Sequence, residues 1–245
     1  RHSGHGSLNV VEALKHSCDI FFYETAMKLG IDRIHDMAVK LGMGTVLEVG
    51  LDNEKSGIIP SKAWKKARYG TSWTYGDAAN SGIGQGYVLV TPLQLATMLA
   101  RVVNGGYNVQ PTFIKPTEKE LSKIKRLDIS TKNIEIVKRG MFEVVNGAGG
   151  TAGRARFNIN GALMGGKTGT TQVRRISMKE RSSGILRDEQ LPWRLRNHAL
   201  FIGFTPVENP RYAVAVVVEH GSSGSGVAAP IASKILQTAL KLNIN

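Results

Sequence analysis

The chain has 245 residues, 42% of them hydrophobic, and 32 basic against 19 acidic side chains give it a net charge of +13. That composition supports a packed core and excludes wholesale disorder; the single cysteine excludes an internal disulfide and an all-cysteine zinc site. The longest strongly apolar run, Ala213–Val218, is too short to cross a bilayer, and no charged-then-apolar leader opens the sequence. The basic residues fall in three clusters, 62–68, 115–126 and 174–196, and the last two are interrupted by acids. A solvated surface is expected from this, and no nucleic-acid partner, because no zinc-finger or RNA-recognition motif accompanies the charge.

Asn9-Val10-Val11-Glu12 reads as a capping box that opens a helix toward Lys15. A polar break follows at 16–19, then an apolar stripe from Ile20 to Leu29 that ends at Gly30. A third helix is expected over 32–41, stopping at Gly42. Residues 44–86, rich in Gly, Ser and aromatics, read mostly as loop. Thr91-Pro92-Leu93-Gln94 opens a strong helix to Val103: a Thr cap, Pro in the first turn, and Gln three residues on. Residues 115–126 are polar and lysine-rich, an exposed excursion, and a further helix spans about 132–145. The last third changes character. Extended patterns at 167–173, 198–204 and 211–219, with a Pro-rich turn at 206–210, read as antiparallel strands, and 230–242 as a closing helix. The expected fold class is α+β, a sheet with helices packed on it.

Three short signals carry chemistry. Ser17-Cys18-Asp19 sits in the break between two helices, where a tight turn lets Ser and Asp aim into one cleft. Gly165-Gly166-Lys167-Thr168-Gly169-Thr170 places a cation and two hydroxyls on one strand, suited to a carboxylate, with glycines that admit a substrate backbone. Ser81-Gly82-Ile83-Gly84-Gln85-Gly86 precedes the Thr91-Pro92-Leu93-Gln94 helix start.

In this order the three segments resemble the transpeptidase domain of penicillin-binding proteins, whose boxes are Ser-x-x-Lys, Ser-x-Asn and Lys-Thr-Gly. Ser17-Cys18-Asp19 corresponds to the second box and Lys167-Thr168-Gly169 to the third. Asp in place of Asn, the flank Cys18-Asp19-Ile20-Phe21-Phe22-Tyr23, Gln172-Val173-Arg174-Arg175, and Leu191-Pro192-Trp193 before His198-Ala199-Leu200-Phe201 are similar to the class B, elongation-type group. The resemblance implies a penicillin-binding/β-lactamase-like fold, with residues 1–245 as the C-terminal part of a single transpeptidase domain. Residues 115–130 would be the exposed excursion and 174–197 a candidate flap. The nucleophile helix and first strands would lie upstream, since the one Ser-x-x-Lys match, Ser122-Lys123-Ile124-Lys125, falls after the second box in the lysine-rich excursion and reads as chance.

The implied reaction is acyl transfer from D-Ala-D-Ala stem peptides of peptidoglycan during cell-wall elongation, by a serine acyl-enzyme mechanism that β-lactams intercept. The catalytic residues implied are Ser17 as proton relay, Lys167 holding Ser17, and Asp19 as acceptor. Thr168, Gly169 and Thr170 bind substrate, the Thr170 N–H forming half of an oxyanion hole. No cofactor is required, although some members carry a structural zinc beside the second box. His5 and Cys18 would be half of such a site, its carboxylates upstream. The parent would be anchored in the bacterial inner membrane through a segment outside this chain, with the domain in the periplasm. Its partners would be the elongation machinery and its shape-determining glycosyltransferase.

Two other readings compete. Gly161 to Thr168 satisfies the phosphate-loop pattern G-x-x-x-x-G-K-[ST], but polar 154–160 precedes it where a buried strand is needed and Gly169-Thr170-Thr171 is a poor helix start. A non-catalytic peptide- or protein-binding module on the same fold is the other. Trp64, Tyr69, Trp73 and Tyr75 interleave with lysines, and loop packing or a substrate rim is expected there before base stacking.

Overall fold

The computed structural model describes residues 4–174 and 176–242, and the chain divides into two compact units, Arg1–Gly140 and Met141–Asn245.

The first unit is helical. Asn9 and Glu12 form the expected reciprocal cap, Asn9 Oδ1 accepting the Glu12 N–H at 3.0 Å and Glu12 the Asn9 N–H at 3.1 Å. They open α1 (Val10–His16), which is followed by α2 (Asp19–Leu29) and α3 (Ile31–Lys40). Gly30, at φ +78°, makes the corner between the last two, a conformation that costs glycine little. The 44–86 stretch is mostly non-helical, as expected, but it also contains α4 (Lys62–Tyr69) and α5 (Tyr75–Gly82). Each has its own cap, Ser61 Oγ accepting from the Trp64 N–H and Thr74 exchanging bonds with Asp77. These caps were visible in the sequence, but the aromatic and glycine content around them outweighed them. Gly82 ends α5 against α2: a Cβ there would lie 2.6 Å from Ala26 Cβ, so only glycine allows this approach.

Helix α6 (Pro92–Val103) starts and stops as expected. Its Gln94 does more than cap. The side chain is 1% exposed, and its amide donates to Thr45 O at 2.7 Å and Ser56 O at 2.8 Å while its oxygen accepts the Thr91 N–H. One glutamine thus ties the 45–57 loop to the helix start with every polar atom satisfied. Arg101 does the same further along, donating to Val109 O, Lys40 O and Gln110 Oε1. The lysine-rich excursion is exposed as expected but carries a single helical turn, α7 (Glu118–Leu121), and is closed at its base by the Tyr107–Arg126 bridge.

Helix α8 (Thr131–Asn146) begins in the first unit and ends in the second. The second unit is built on an antiparallel sheet of order β1 (Gly165–Thr171), β2 (His198–Thr205), β3 (Tyr212–Val218). Between β1 and β2 lies α9 (Met178–Ser183), and α10 (Ala229–Leu242) closes the fold. Cross-strand register pairs Thr168 with Phe201 and Phe201 with Val216. Alternation therefore puts Ala199, Phe201, Val214, Val216 and Val218 on one face, where they meet Ala232 and Leu236 of α10 in the core. The α+β expectation, helices on an antiparallel sheet, is met.

Candidate active site

The Ser17-Cys18-Asp19 turn is made by the end of α1. Ser17 takes a left-handed conformation, φ 49° and ψ 56°, and the following Cys18 N–H reaches back to Ala13 O at 3.0 Å. This is the glycine-favouring helix terminator, occupied here by serine. Cys18 is buried, and it is flanked by half-buried Ser17 and exposed Asp19. Asp19 is the first residue of α2, where its charge complements the helix N-terminus. One turn on, burial and then the Asp19 charge push the Tyr23 phenol up. Tyr23 was not singled out from the sequence, though its i, i+4 spacing from Asp19 was legible.

The glycine loop that follows α5 is also formed in the first unit. Gly84 and Gly86 both stand at φ +74°, and the Gln85 N–H bonds back to Asn80 O at 2.9 Å. In the same unit Lys65 pairs with Asp77, with both side chains largely buried. Burial pushes the Asp77 carboxyl up, but bonds from Lys65 and Thr74 more than offset this and hold it below the usual carboxylate range. Trp64 and Tyr69 each stand 5.3 Å from the Tyr87 ring, and the Lys65 ammonium lies 5.8 Å from the Trp73 ring. Trp64, Tyr69 and Trp73 therefore gather around Tyr87 and Lys65, while Tyr75 is left 82% exposed and Tyr69 is half exposed at 52%.

The Lys-Thr-Gly-Thr sequence forms β1 in the second unit. Its two leading glycines make room for rings: a Cβ on Gly166 would lie 2.3 Å from Phe201. Asn146 donates to Met164 O at 2.8 Å and Thr205 to Leu163 O at 2.9 Å, which fixes the chain entering the strand. Alternation sets Lys167 and Gly169 toward one face and Thr168 and Thr170 toward the other. The Lys167 ammonium bends over the main chain to Thr168 O at 3.0 Å, and Thr168 Oγ1 lies 3.4 Å from Thr151 Oγ1. Thr151 is a further hydroxyl at this strand that its sequence surroundings do not mark, because it lies in a glycine-rich turn, Gly147–Gly153, with no motif of its own. Among the described strands β1 is bonded only to β2, and Thr170 is exposed. Its other edge therefore presents main-chain donors and acceptors to an added extended peptide.

The structure thus brings Ser17, Cys18 and Asp19 together in one unit and Lys167, Thr168, Gly169 and Thr170 together in the other. Ser122, the chance Ser-x-x-Lys match, is an exposed helix end that donates to Lys119 O at 3.0 Å. The phosphate-loop pattern is not one, since Lys167 and Thr168 lie inside a strand and open no helix. Arg175 lies outside the described residues. The rest of the candidate flap carries α9, capped by Ser177 and Glu180, with Arg174 paired to Glu180 at 2.6 Å. His5 stacks on His16 at 5.7 Å, and among the described residues no three of His, Cys, Asp and Glu converge as a metal set.

A chain with a two-box pattern of this kind, an edge strand bearing Lys-Thr-Gly-Thr and a helix-break Ser-x-Asp, has the α+β architecture of penicillin-binding transpeptidases. The sequence matches the penicillin-binding protein transpeptidase domain over residues 1–237, and the chain belongs to that family. More particularly, it is 33% identical over 243 residues to the peptidoglycan D,D-transpeptidase MrdA of Salmonella typhimurium, covering 96% of this chain and 38% of that protein. It is 34% identical over 244 residues to MrdA of Haemophilus influenzae, with 96% and 36% covered. Penicillin-binding protein 2 of Helicobacter pylori, solved in complex with MreC, superposes with a TM-score of 0.83 at 29% identity, over 97% of this chain and 41% of that one. The Pseudomonas aeruginosa protein, PBP2 in complex with WCK 5153, gives 0.78 at 36% identity, over 97% and 48%. The chain spans well under half the length of the curated relatives it matches.

Proposed function

We propose that the protein carrying this chain is a serine-type peptidoglycan D,D-transpeptidase of the elongation class, a target of β-lactams. The reading rests on one observation: both the helix-break Ser-Cys-Asp turn and the Lys-Thr-Gly-Thr edge strand are formed in a chain that the transpeptidase family matches over residues 1–237. The nucleophilic serine comes from outside these 245 residues, because no Ser-x-x-Lys within them sits on a suitable helix.

The stem peptide lies along the open edge of β1 as an added strand. Thr168 and Thr170 hold its terminal carboxylate, and Gly169 leaves room for its backbone. The serine oxygen, as its proton passes to the lysine of the same upstream Ser-x-x-Lys box, forms a bond to the carbonyl carbon of the penultimate D-Ala. The negative charge that develops on the carbonyl oxygen is met by the Thr170 N–H, a donor worth roughly 3–4 kcal/mol in comparable sites. As the C–N bond breaks, Ser17 returns a proton to the leaving nitrogen and terminal D-Ala departs. An amine of a second stem then attacks the acyl-enzyme and restores the serine. Lys167 supplies positive charge on β1, and Asp19, ionised, accepts but does not donate.

His5 and Cys18 are proposed as two ligands of a structural zinc in the complete protein. This chain's described residues do not form a ligand set on their own, and no step above depends on one. Membrane anchoring, a periplasmic domain and contact with the elongation machinery, including a glycosyltransferase, are proposed for the complete protein. The Helicobacter relative solved with MreC supports a shape-determining partner.

Labelling with a fluorescent penicillin tests this. The complete protein becomes covalently labelled, the 245-residue chain alone does not, and Lys167→Ala in the complete protein lowers the acylation rate at least 100-fold with no loss of folding. Labelling within this chain, or wild-type rates in Lys167→Ala, overturns the assignment.

A further inference from the structure

The Lys-Thr-Gly strand is covered, on the face that carries Thr168 and Thr170, by a segment that no motif marks. After β3 the chain turns through 219–223 and enters a π-helical turn, Gly224–Ala228. Gly224 lies flat on the strand: a Cβ there would fall 2.4 Å from Gly169 O and 2.6 Å from Leu200 O. A Cβ on Gly221 would lie 3.1 Å from Ala199 Cβ, on the sheet face opposite that of Lys167. The segment therefore covers the strand at Gly169, the residue immediately before the Thr170 N–H.

Two main-chain donors and the His220 ring keep it there. The His220 N–H donates to His198 Nδ1 at 2.9 Å, and the Ser222 N–H donates to Asn197 O at 2.9 Å. His198 pairs with Thr171 across the sheet, one register step from the Thr170–Ala199 pair. A main-chain N–H can only donate, so His198 Nδ1 holds a lone pair and its proton resides on Nε2. The His220 ring is fixed in turn, its Nδ1–H directed at Arg196 O at 2.9 Å and the ring packed edge-to-face with Trp193 at 4.5 Å between centroids. His220 and Ser222 both stand at positive φ, +55° and +65°, conformations that non-glycine residues hold only when their surroundings impose them.

We propose that His198 is a positioning residue for the transpeptidase site. By accepting the His220 N–H it latches residues 219–228 against Gly169 and so fixes the height of the Thr170 N–H. It touches neither substrate nor the reacting atoms. The proposal rests on the functional reading above for its catalytic consequence, and on the geometry alone for the latch.

The test uses the complete protein and three variants. In His198→Asn the side-chain oxygen takes the place of Nδ1; in His198→Gln it sits one carbon further out, and in His198→Leu there is no acceptor. Hydrogen exchange across 219–228 and the second-order rate of fluorescent-penicillin acylation are both measured. The Asn variant retains wild-type exchange and acylation within about threefold. The Gln and Leu variants exchange at least tenfold faster at the His220 amide and lose roughly 10- to 100-fold in acylation, the cost of a displacement of up to about 1 Å at a reacting centre. Gln stands in for Leu where Leu does not fold. Wild-type exchange and acylation in Gln or Leu, or an Asn variant no better than Gln, overturn the latch. A wild-type protein that no penicillin labels overturns the functional reading instead, and the exchange measurement still decides the latch.

Discussion

Serine at position 17 is predicted to be held against its own backbone preference. At φ 49° and ψ 56° it occupies a helix terminator where a Cβ crowds the carbonyl oxygen, at a cost of about 1–2 kcal/mol. Ser17→Ala and Ser17→Gly both remove the hydroxyl, so their difference isolates the backbone. Glycine escapes the crowding and gives back about 0.5–1 kcal/mol through the greater freedom of its unfolded chain. Ser17→Gly should therefore be more stable than Ser17→Ala by about 0.5–1 kcal/mol, read as one to a few degrees in thermal midpoint. If Ser17 relays the proton to the leaving nitrogen, both variants of the complete protein lose roughly 10²- to 10⁴-fold in penicillin acylation. A glycine variant no more stable than the alanine variant refutes the backbone argument. Acylation within fivefold of wild type in either variant removes Ser17 from the relay.

Lys65→Met should cost about 3 kcal/mol by stranding the buried Asp77 carboxylate, measured by urea denaturation. Because the Asp77 carboxyl titrates below its unfolded value, its contribution is complete above the ordinary aspartate range and is lost as pH falls through the lowered value; Asp77→Asn should accordingly flatten the acid limb of the stability profile. Gln94→Ala should cost about 2–3 kcal/mol, since Thr45 O and Ser56 O lose their buried donor, and proteolysis should then cut first within 45–57. Arg101→Lys should cost about 2 kcal/mol, because a single ammonium cannot reach the three acceptors that the guanidinium fork spans, and thermal melting reads it directly.

Much of this fold was legible because its helices announce themselves locally. Asn9 with Glu12 and Thr91 with Gln94 are reciprocal caps whose partners sit three residues apart, and Gly30 terminates where it should. Helices α4 and α5 were lost for the opposite reason. Their caps are equally local, but what stabilises them is the Lys65–Asp77 pair and the Tyr87 ring, contacts between segments 12 and more residues apart. The boxes themselves were readable as strings of residue types, since a strand that offers Lys, two Thr and a permissive Gly has few other uses.

The cross-braces within each unit were not readable, and the reason is physical. Gln94 is a cap in sequence and a cross-brace in space, and only the second role depends on Thr45 and Ser56. His198 is an ordinary strand residue until the His220 N–H arrives from 22 residues away. Gly224 looks like any flexible glycine, yet the space its missing Cβ would fill is taken by Gly169 O. A chemical group is recognised by its own type, whereas a supporting group is defined by what it touches. Sequence motifs therefore find groups by their type, and the structure is needed to find the contacts that hold them.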